Sequence, residues 1–152
     1  MRADGFHYRR RVAFAETDMA GIVHFSAYFR YMEEAEHALW RAAGMRIATI
    51  GETTGWPRVA ASFDYKAPLR FEDEFVVVVR IGAISRRTLQ YAFTLTRDGR
   101  AIGTGTLTIA CVSKHPGQPM KAIDLPRDVV DRLEATCASP APSGSDPGTT
   151  PA

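Results

Sequence analysis

The chain has 152 residues, enough for one domain with a hydrophobic core, and its 45% hydrophobic and 24% charged residues are typical of a globular protein. Its net charge of +2 is too small to indicate nucleic-acid binding. No segment is long and apolar enough to span a membrane, and the first residues lack the apolar core of a signal peptide. The two cysteines, Cys111 and Cys137, show neither a metal-ligand spacing nor a disulfide signal, so we expect a cytoplasmic protein.

The first two predicted elements are a strand and a long helix. Apolar residues of one parity from Phe6 to Phe14 predict the strand. Ser26 is a candidate N-cap for the helix, and Gly44 is a candidate C-terminal stop. Between them, apolar residues recur at steps of three and four and trace one helical face, namely Tyr28, Met32, Ala35, Leu39 and Ala42.

Strand patterns dominate after Pro57. Alternating or valine-rich runs predict strands at 58–66, 75–81, 88–96 and 101–112, with a tight turn at Asp98-Gly99. A short closing helix is expected from Pro126 to Thr136. One long helix with a run of antiparallel strands indicates an α+β fold. We expect a single domain over residues 1–137 and a flexible tail over 138–152, because that segment is dominated by Pro, Ser, Gly, Thr and Ala.

The segment from Phe14 to Tyr28 carries the candidate chemistry. A strand ends, a loop with Asp18 and Gly21 follows, and a helix begins near Phe25. Backbone N–H groups at a helix start have no intrahelical partners and can bind a carbonyl oxygen that becomes an oxyanion. A carboxylate on the preceding loop could attack the carbonyl carbon or deprotonate a water. An acidic residue in this position can also simply complement the helix dipole.

The run FAETDMAGIVHFSAYFRYMEEAE, from Phe14 to Glu36, resembles the signature of acyl-CoA thioesterases of the 4-hydroxybenzoyl-CoA thioesterase type. The resemblance continues in DYKAPLRFEDEF and KAIDLPRDV. It implies a hotdog fold, in which an antiparallel sheet wraps around one long central helix. It also implies a dimer, often paired into a tetramer, with active sites at the subunit interface.

By position, the resemblance makes Asp18 the catalytic aspartate and the Phe25 N–H the oxyanion donor. Gly21, Ile22 and Val23 match the turn between them. The YbgC-like branch carries a histidine where this chain has Phe25. Here a histidine stands one position earlier, as His24.

Further residues are candidates for substrate binding. His24 could line the acyl pocket or orient a water, or it could be a plain loop histidine. Tyr28 ends the segment of strongest resemblance and is assigned with the turn residues to substrate binding. The phosphates of coenzyme A require cations, for which Arg86 and Arg87 are the first candidates and Lys66 a further one, although turn arginines are often only solvated. Glu16 could form a carboxylate pair with Asp18 or, as we favour, an ion pair with an arginine of the first strand.

The function predicted from these residues is hydrolysis of an acyl-CoA thioester without a metal or redox cofactor, coenzyme A being part of the substrate. The expected partners are the acyl-CoA and further copies of the chain, as a homodimer or homotetramer. One alternative is a non-catalytic hotdog module that binds an acyl chain or a protein. A hotdog dehydratase or hydratase is a weaker alternative, because its usual carboxylate and histidine motif is not recognisable. The acyl group, and the choice between nucleophile and base for Asp18, stay open.

Overall fold

The computed structural model describes residues 5–138 and the backbone of residues 144–145. Its helices are α1 (Ala27–Ala42) and α2 (Arg127–Ala138), and a single 3-10 turn covers Phe14–Glu16. Its strands, in chain order, are β1 (Phe6–Arg11), β2 (Thr54–Gly55), β3 (Arg58–Tyr65), β4 (Glu74–Ile84), β5 (Thr88–Arg97), β6 (Arg100–Ala110), β7 (Val112–Ser113), β8 (Lys121–Ala122) and β9 (Gly144–Ser145).

The main sheet has six strands in the order β3-β6-β5-β4-β1-β9. Its pairs are antiparallel except for the parallel pair of β1 with β9. Helix α1 packs against this sheet, and its apolar face shares one buried core with alternate residues of β1, β4, β5 and β6. Gly105 of β6 permits this close packing, because a Cβ there would lie 2.6 Å from the Met32 Sδ of α1. The predicted α+β architecture is confirmed.

The first strand is shorter than predicted. It ends at Arg11, and Val12 then bonds through its N–H to the Asp73 carbonyl at 2.9 Å. Phe14, which we expected on the core face of this strand, lies in the 3-10 turn and is 73% exposed. Its ring meets the edge of the Phe71 ring at 5.5 Å. The prediction for Phe14 was wrong because the chain leaves the sheet before the alternating pattern ends.

The ends of helix α1 fall close to the predicted positions. Ser26 occupies the N-cap, but it makes no side-chain capping bond to the helix, and its hydroxyl contacts His24 instead. At the other end, Gly44 has a φ of +81 and donates its N–H to the Arg41 carbonyl. Glycine adopts this left-handed conformation without steric strain, which explains why the helix stops there.

The structure also contains the predicted tight turn and the predicted closing helix. The Asp98-Gly99 turn joins β5 to β6 with a positive φ at both residues. The predicted closing helix is α2, which ends at Ala138. Most of the predicted tail, 138–152, lies outside the described residues, although Gly144–Ser145 pairs with β1. Its flexibility stays a prediction. Neither helix in the described part of the chain has the length and apolar character to cross a membrane.

One charged residue lies in the core. Glu36 of α1 is 0% exposed, and its Oε1 accepts a hydrogen bond from Arg58, at the start of β3. Its Oε2 has no hydrogen-bond partner among the described residues. Burial raises the pKa of Glu36 to about 7, although the charge of Arg58 acts in the opposite direction. The folded protein therefore holds a proton on Glu36 at pH values where the unfolded chain has lost it.

We expect Glu36 to make the free energy of unfolding fall as the pH rises from about 4.5 to about 7, by at most about 3 kcal/mol. The reason is that the raised pKa gives the folded state more bound protons than the unfolded state within this window. Glu36→Gln removes the titrating group. Thermal unfolding midpoints measured at about pH 5 and about pH 8 should therefore differ less in the variant than in the wild-type protein. The same pH dependence in both proteins would contradict this assignment.

Candidate active site

The loop between β1 and α1 folds back on itself as a short hairpin. Thr17 and Val23 form an antiparallel bridge. The Asp18 N–H donates to the Ile22 carbonyl at 2.9 Å, and the Gly21 N–H donates to the Asp18 carbonyl at 2.9 Å. Asp18 therefore stands at the first position of a tight turn whose last position is Gly21. This pairing holds the backbone of the predicted catalytic residue in one conformation.

The side chain of Asp18 is exposed at the tip of this hairpin. Its Oδ1 accepts a hydrogen bond from the Ala20 N–H at 2.8 Å, as in a typical Asx-turn. No cation among the described residues forms an ion pair with it. Gly21 has a φ of +80, and a Cβ added to it would meet nothing within 4 Å. The carboxylate thus faces open space beside accessible backbone.

The start of helix α1 presents a backbone donor. The N–H of Ala27, the first residue of the helix, donates to the carbonyl of His24, which precedes the helix, at 2.9 Å. No acceptor among the described residues takes the Phe25 N–H. The Phe25 carbonyl accepts a hydrogen bond from the Tyr65 hydroxyl at 2.7 Å, so β3 fixes the backbone of Phe25 from the other side. Tyr65 was not predicted as a site residue, because local sequence patterns do not predict contacts between residues 40 positions apart.

His24 is exposed between the hairpin and the helix. Its N–H closes the hairpin by donating to the Glu16 carbonyl at 2.8 Å. Its ring Nδ1 lies 2.8 Å from the Ser26 hydroxyl, and its ring is 4.6 Å from that of Phe25. The imidazole is therefore held beside the site by its own neighbours. Both readings of His24, pocket wall and plain loop residue, stay open.

Other predicted substrate-binding residues lie beneath the site. Val23 is 3% exposed and donates its N–H to the Leu69 carbonyl at 2.8 Å. Tyr28 is also 3% exposed, and its ring stacks on Phe63 at 4.9 Å and meets Tyr65 edge-on at 5.3 Å. Ile22 is half-buried. Val23 and Tyr28 therefore support the loop from the core side, and their assignment to substrate binding stays a prediction.

The predicted cations do not form one group within the chain. Lys66 follows β3 and lies at the end of the sheet that carries the hairpin, because β3 ends there beside the start of β6. Arg86 and Arg87 lie in the turn between β4 and β5, at the opposite end of the sheet. Both contact Asp124, at 2.9 Å and 3.5 Å respectively. Lys66 therefore lies apart from Arg86 and Arg87 within one chain, and the binding of coenzyme A phosphates by these cations stays a prediction.

Glu16 forms the ion pair that we favoured. Arg10 of β1 contacts its carboxylate with both terminal nitrogens, at 2.8 Å and 2.5 Å. Burial alone would raise the pKa of Glu16, but hydrogen bonds from Arg10, the Ala13 N–H and the Tyr31 hydroxyl outweigh it and hold the pKa below its usual value. Glu16 therefore stays ionised and does not share a proton with Asp18.

Comparison with known proteins identifies the family and the fold. A relative from Aquifex aeolicus, provisionally named an esterase, is 34% identical over 131 residues, which cover 85% of this chain and 98% of that protein. The acyl-CoA thioesterase YbgC of Haemophilus influenzae is 24% identical, over 85% of this chain and 94% of that protein. Among solved structures, a gentisyl-coenzyme A thioesterase has a TM-score of 0.75 and 26% identity, covering 84% of this chain and 98% of that one.

The fold is therefore the predicted hotdog fold, with an antiparallel sheet around one long helix. The family model described as the thioesterase-like superfamily matches residues 12–133, which include the hairpin, helix α1 and the four long strands that follow it. The chain belongs to the thioesterase-like superfamily, a family of thioester hydrolases.

Proposed function

We propose that this protein hydrolyses an acyl-CoA thioester to a carboxylic acid and coenzyme A. One observation carries the proposal: one braced loop holds the exposed Asp18 carboxylate, which has no ion pair with any described residue, and the Phe25 N–H, which has no acceptor in the described part of the chain. The names of relatives, an acyl-CoA thioesterase and a gentisyl-coenzyme A thioesterase, supply the substrate class. No metal or redox cofactor is part of the proposal, because both reacting groups come from the chain.

In the proposed reaction, the thioester carbonyl oxygen accepts the Phe25 N–H. This hydrogen bond and the positive end of the α1 dipole stabilise the negative charge that develops on that oxygen. Asp18 then acts in one of two ways. It attacks the carbonyl carbon to form an acyl-aspartyl anhydride that water later hydrolyses, or it removes a proton from a water that attacks the same carbon. In both routes the C–S bond breaks and coenzyme A leaves as its thiol after protonation.

Asp18→Asn tests this assignment, since it keeps the shape of the side chain and removes both the nucleophile and the base. We expect kcat to fall by about 10²- to 10⁴-fold on a good substrate found in a panel of aromatic and aliphatic acyl-CoAs, with little change in KM. Asp98→Asn, in the β5–β6 turn at the same end of the sheet, is the matched control and should retain wild-type kcat.

Undiminished hydrolysis by the Asp18→Asn variant would overturn the assignment of Asp18. Tight binding of acyl-CoA by the wild-type protein, with no turnover across the panel, would instead favour the non-catalytic binding module. The two results are distinguishable because binding and turnover are measured on the same preparation.

We propose further that the protein forms a homodimer through strand β3. This strand is the edge of the main sheet, and most of its residues are exposed in the single chain. Among them are the apolar residues Val59, which is 56% exposed, and Ala61. A free strand edge with exposed apolar residues normally pairs with another strand or is protected by charges. A second copy of β3 in antiparallel pairing covers this edge and extends the sheet.

The mass measured by light scattering after size-exclusion chromatography should be at least twice that of one chain. Val59→Asp introduces a charge into the proposed interface, so we expect it to shift the protein towards the mass of a single chain. A monomeric wild-type protein at micromolar concentration would contradict the proposed dimer.

Antiparallel pairing through β3 also brings together, from two subunits, the candidate cations that lie apart within one chain. A two-fold axis at this edge places the opposite ends of the two sheets side by side. Arg86 and Arg87 of the partner subunit then lie at the end that carries Asp18 and Lys66 of the first chain. In this arrangement one subunit provides the reacting groups and the other provides arginines for the phosphates of coenzyme A.

A subunit-mixing experiment tests this arrangement. Asp18→Asn and the double variant Arg86→Ala/Arg87→Ala are each expected to be nearly inactive at substrate concentrations below KM. When the two are co-expressed, half of the dimers are mixed and each contains one intact site, so activity should recover to about one quarter of the wild-type value. No recovery, although mixed dimers are isolated by two affinity tags, would show that the arginines do not act across the interface.

A further inference from the structure

Glu16 has more hydrogen-bond contacts than an ordinary loop carboxylate. Its Oε1 accepts bonds at 2.8 Å from Arg10 Nη1, the Ala13 N–H and the Tyr31 hydroxyl, and its Oε2 accepts one from Arg10 Nη2 at 2.5 Å. Its side chain is only 12% exposed. Arg10 belongs to β1, Ala13 directly precedes the 3-10 turn, and Tyr31 belongs to helix α1. A single carboxylate therefore joins β1, the chain before the 3-10 turn and α1 around the start of the hairpin.

The backbone of Glu16 closes the same hairpin. Its carbonyl accepts the His24 N–H at 2.8 Å, and its own N–H donates to the Ala13 carbonyl at 3.0 Å. Asp18 lies two residues after Glu16, and Phe25 directly follows His24. The two proposed reacting groups therefore lie within two residues, along the chain, of the backbone hydrogen bond between Glu16 and His24.

Arg10 is shared between two carboxylates that have different neighbours. Besides Glu16, it donates from Nε and Nη2 to Glu34 of α1, at 2.9 Å and 3.0 Å. The Tyr8 hydroxyl also donates to Glu34, at 3.0 Å. Glu34 therefore joins β1 to α1 and has no contact with the hairpin among the described residues. Both carboxylates accept hydrogen bonds from Arg10. Of the two, the Glu16 carboxylate also accepts a hydrogen bond from the Ala13 N–H, at the start of the loop.

We propose that Glu16 is a positioning residue that fixes the hairpin so that Asp18 and the Phe25 N–H face the same carbonyl group. This inference rests on the proposed thioesterase function for its effect on catalysis. Its structural part, the immobilisation of residues 17–25 by the Glu16 carboxylate, can be measured without any substrate. Glu16 itself does not touch the reacting atoms in this account, since its oxygens are engaged by Arg10, Ala13 and Tyr31.

Glu16→Gln provides the main test, because an amide cannot accept all of these bonds and directs N–H groups towards Arg10 or its other donors. We expect backbone amides of residues 17–25 to exchange hydrogen about tenfold faster, as measured by mass spectrometry. We expect kcat to fall by about 10- to 100-fold while KM stays within about twofold, since small displacements of reacting groups affect the chemical step more than binding.

Glu34→Gln is the matched control. It also breaks bonds to Arg10, so it should lower the thermal unfolding midpoint by a similar amount, while the exchange of residues 17–25 and kcat remain close to wild type. Glu16→Asp is a second variant, for use if Glu16→Gln does not fold. It keeps the negative charge that pairs with Arg10 and should therefore fold more readily. Its side chain is shorter by one methylene and cannot reach Arg10, Ala13 and Tyr31 together, so we expect intermediate values of exchange and kcat.

Two results would overturn the proposal. One is unchanged exchange of residues 17–25 in both Glu16 variants. The other is an equal loss of kcat in Glu34→Gln and Glu16→Gln at equal loss of stability, which would show that the Arg10 cluster only stabilises the fold. If the wild-type protein hydrolyses no acyl-CoA, the proposed function fails, but the exchange measurements still decide whether Glu16 fixes the loop.

Discussion

The short antiparallel pairing of residues 16–18 with residues 22–24 determines where the proposed reacting groups of this protein lie. It turns the connection between a strand and a helix into a hairpin whose backbone bonds are made within the loop. Such a loop can be exposed to substrate and still keep one conformation, because several of its N–H and C=O groups bond to one another. Among the described residues, the Asp18 carboxylate accepts a hydrogen bond only from the Ala20 N–H, and the Phe25 N–H has no acceptor; these are the two groups that we propose for catalysis.

The surroundings of the hairpin explain its stability. Arg10, Glu16 and Tyr31 hold one side of it against β1 and α1, and Tyr65 of β3 holds Phe25 on the other side. The β3 contact has a consequence for assembly. The strand that restrains Phe25, the proposed oxyanion donor, is also the edge through which we propose dimerisation. Formation of the dimer and geometry of the site would then depend on the same strand.

Local patterns in the sequence were sufficient for the long helix, the hairpin turn at Asp98-Gly99 and the four long strands, but not for the two-residue strands, because each of the predicted elements depends on residues near one another in the chain. They were also sufficient to place Asp18 before a helix start, and the ion pair of Glu16 with a strand arginine followed from the excess of arginine in β1. Phe14 was misplaced because alternation continues past the point where the chain leaves the sheet.

Contacts between distant segments could not be predicted in the same way. The Tyr65 bond to the Phe25 carbonyl, the burial of Glu36 beside Arg58, and the separation of Lys66 from Arg86 and Arg87 all depend on how the strands are ordered in the sheet. Strand order is a property of the complete fold, and no single segment encodes it. Cytoplasmic location stays a prediction, and the sequence predicts no particular acyl group.

The most direct test of the central claim is a crystal structure with a coenzyme A thioester analogue whose sulfur is replaced by a methylene group. The account predicts that its carbonyl oxygen lies about 2.7–3.1 Å from the Phe25 nitrogen, with the Asp18 carboxylate facing the carbonyl carbon directly or through one water. A carbonyl group bound away from the Phe25 N–H, or with Asp18 turned from it in an otherwise unchanged hairpin, would contradict the account.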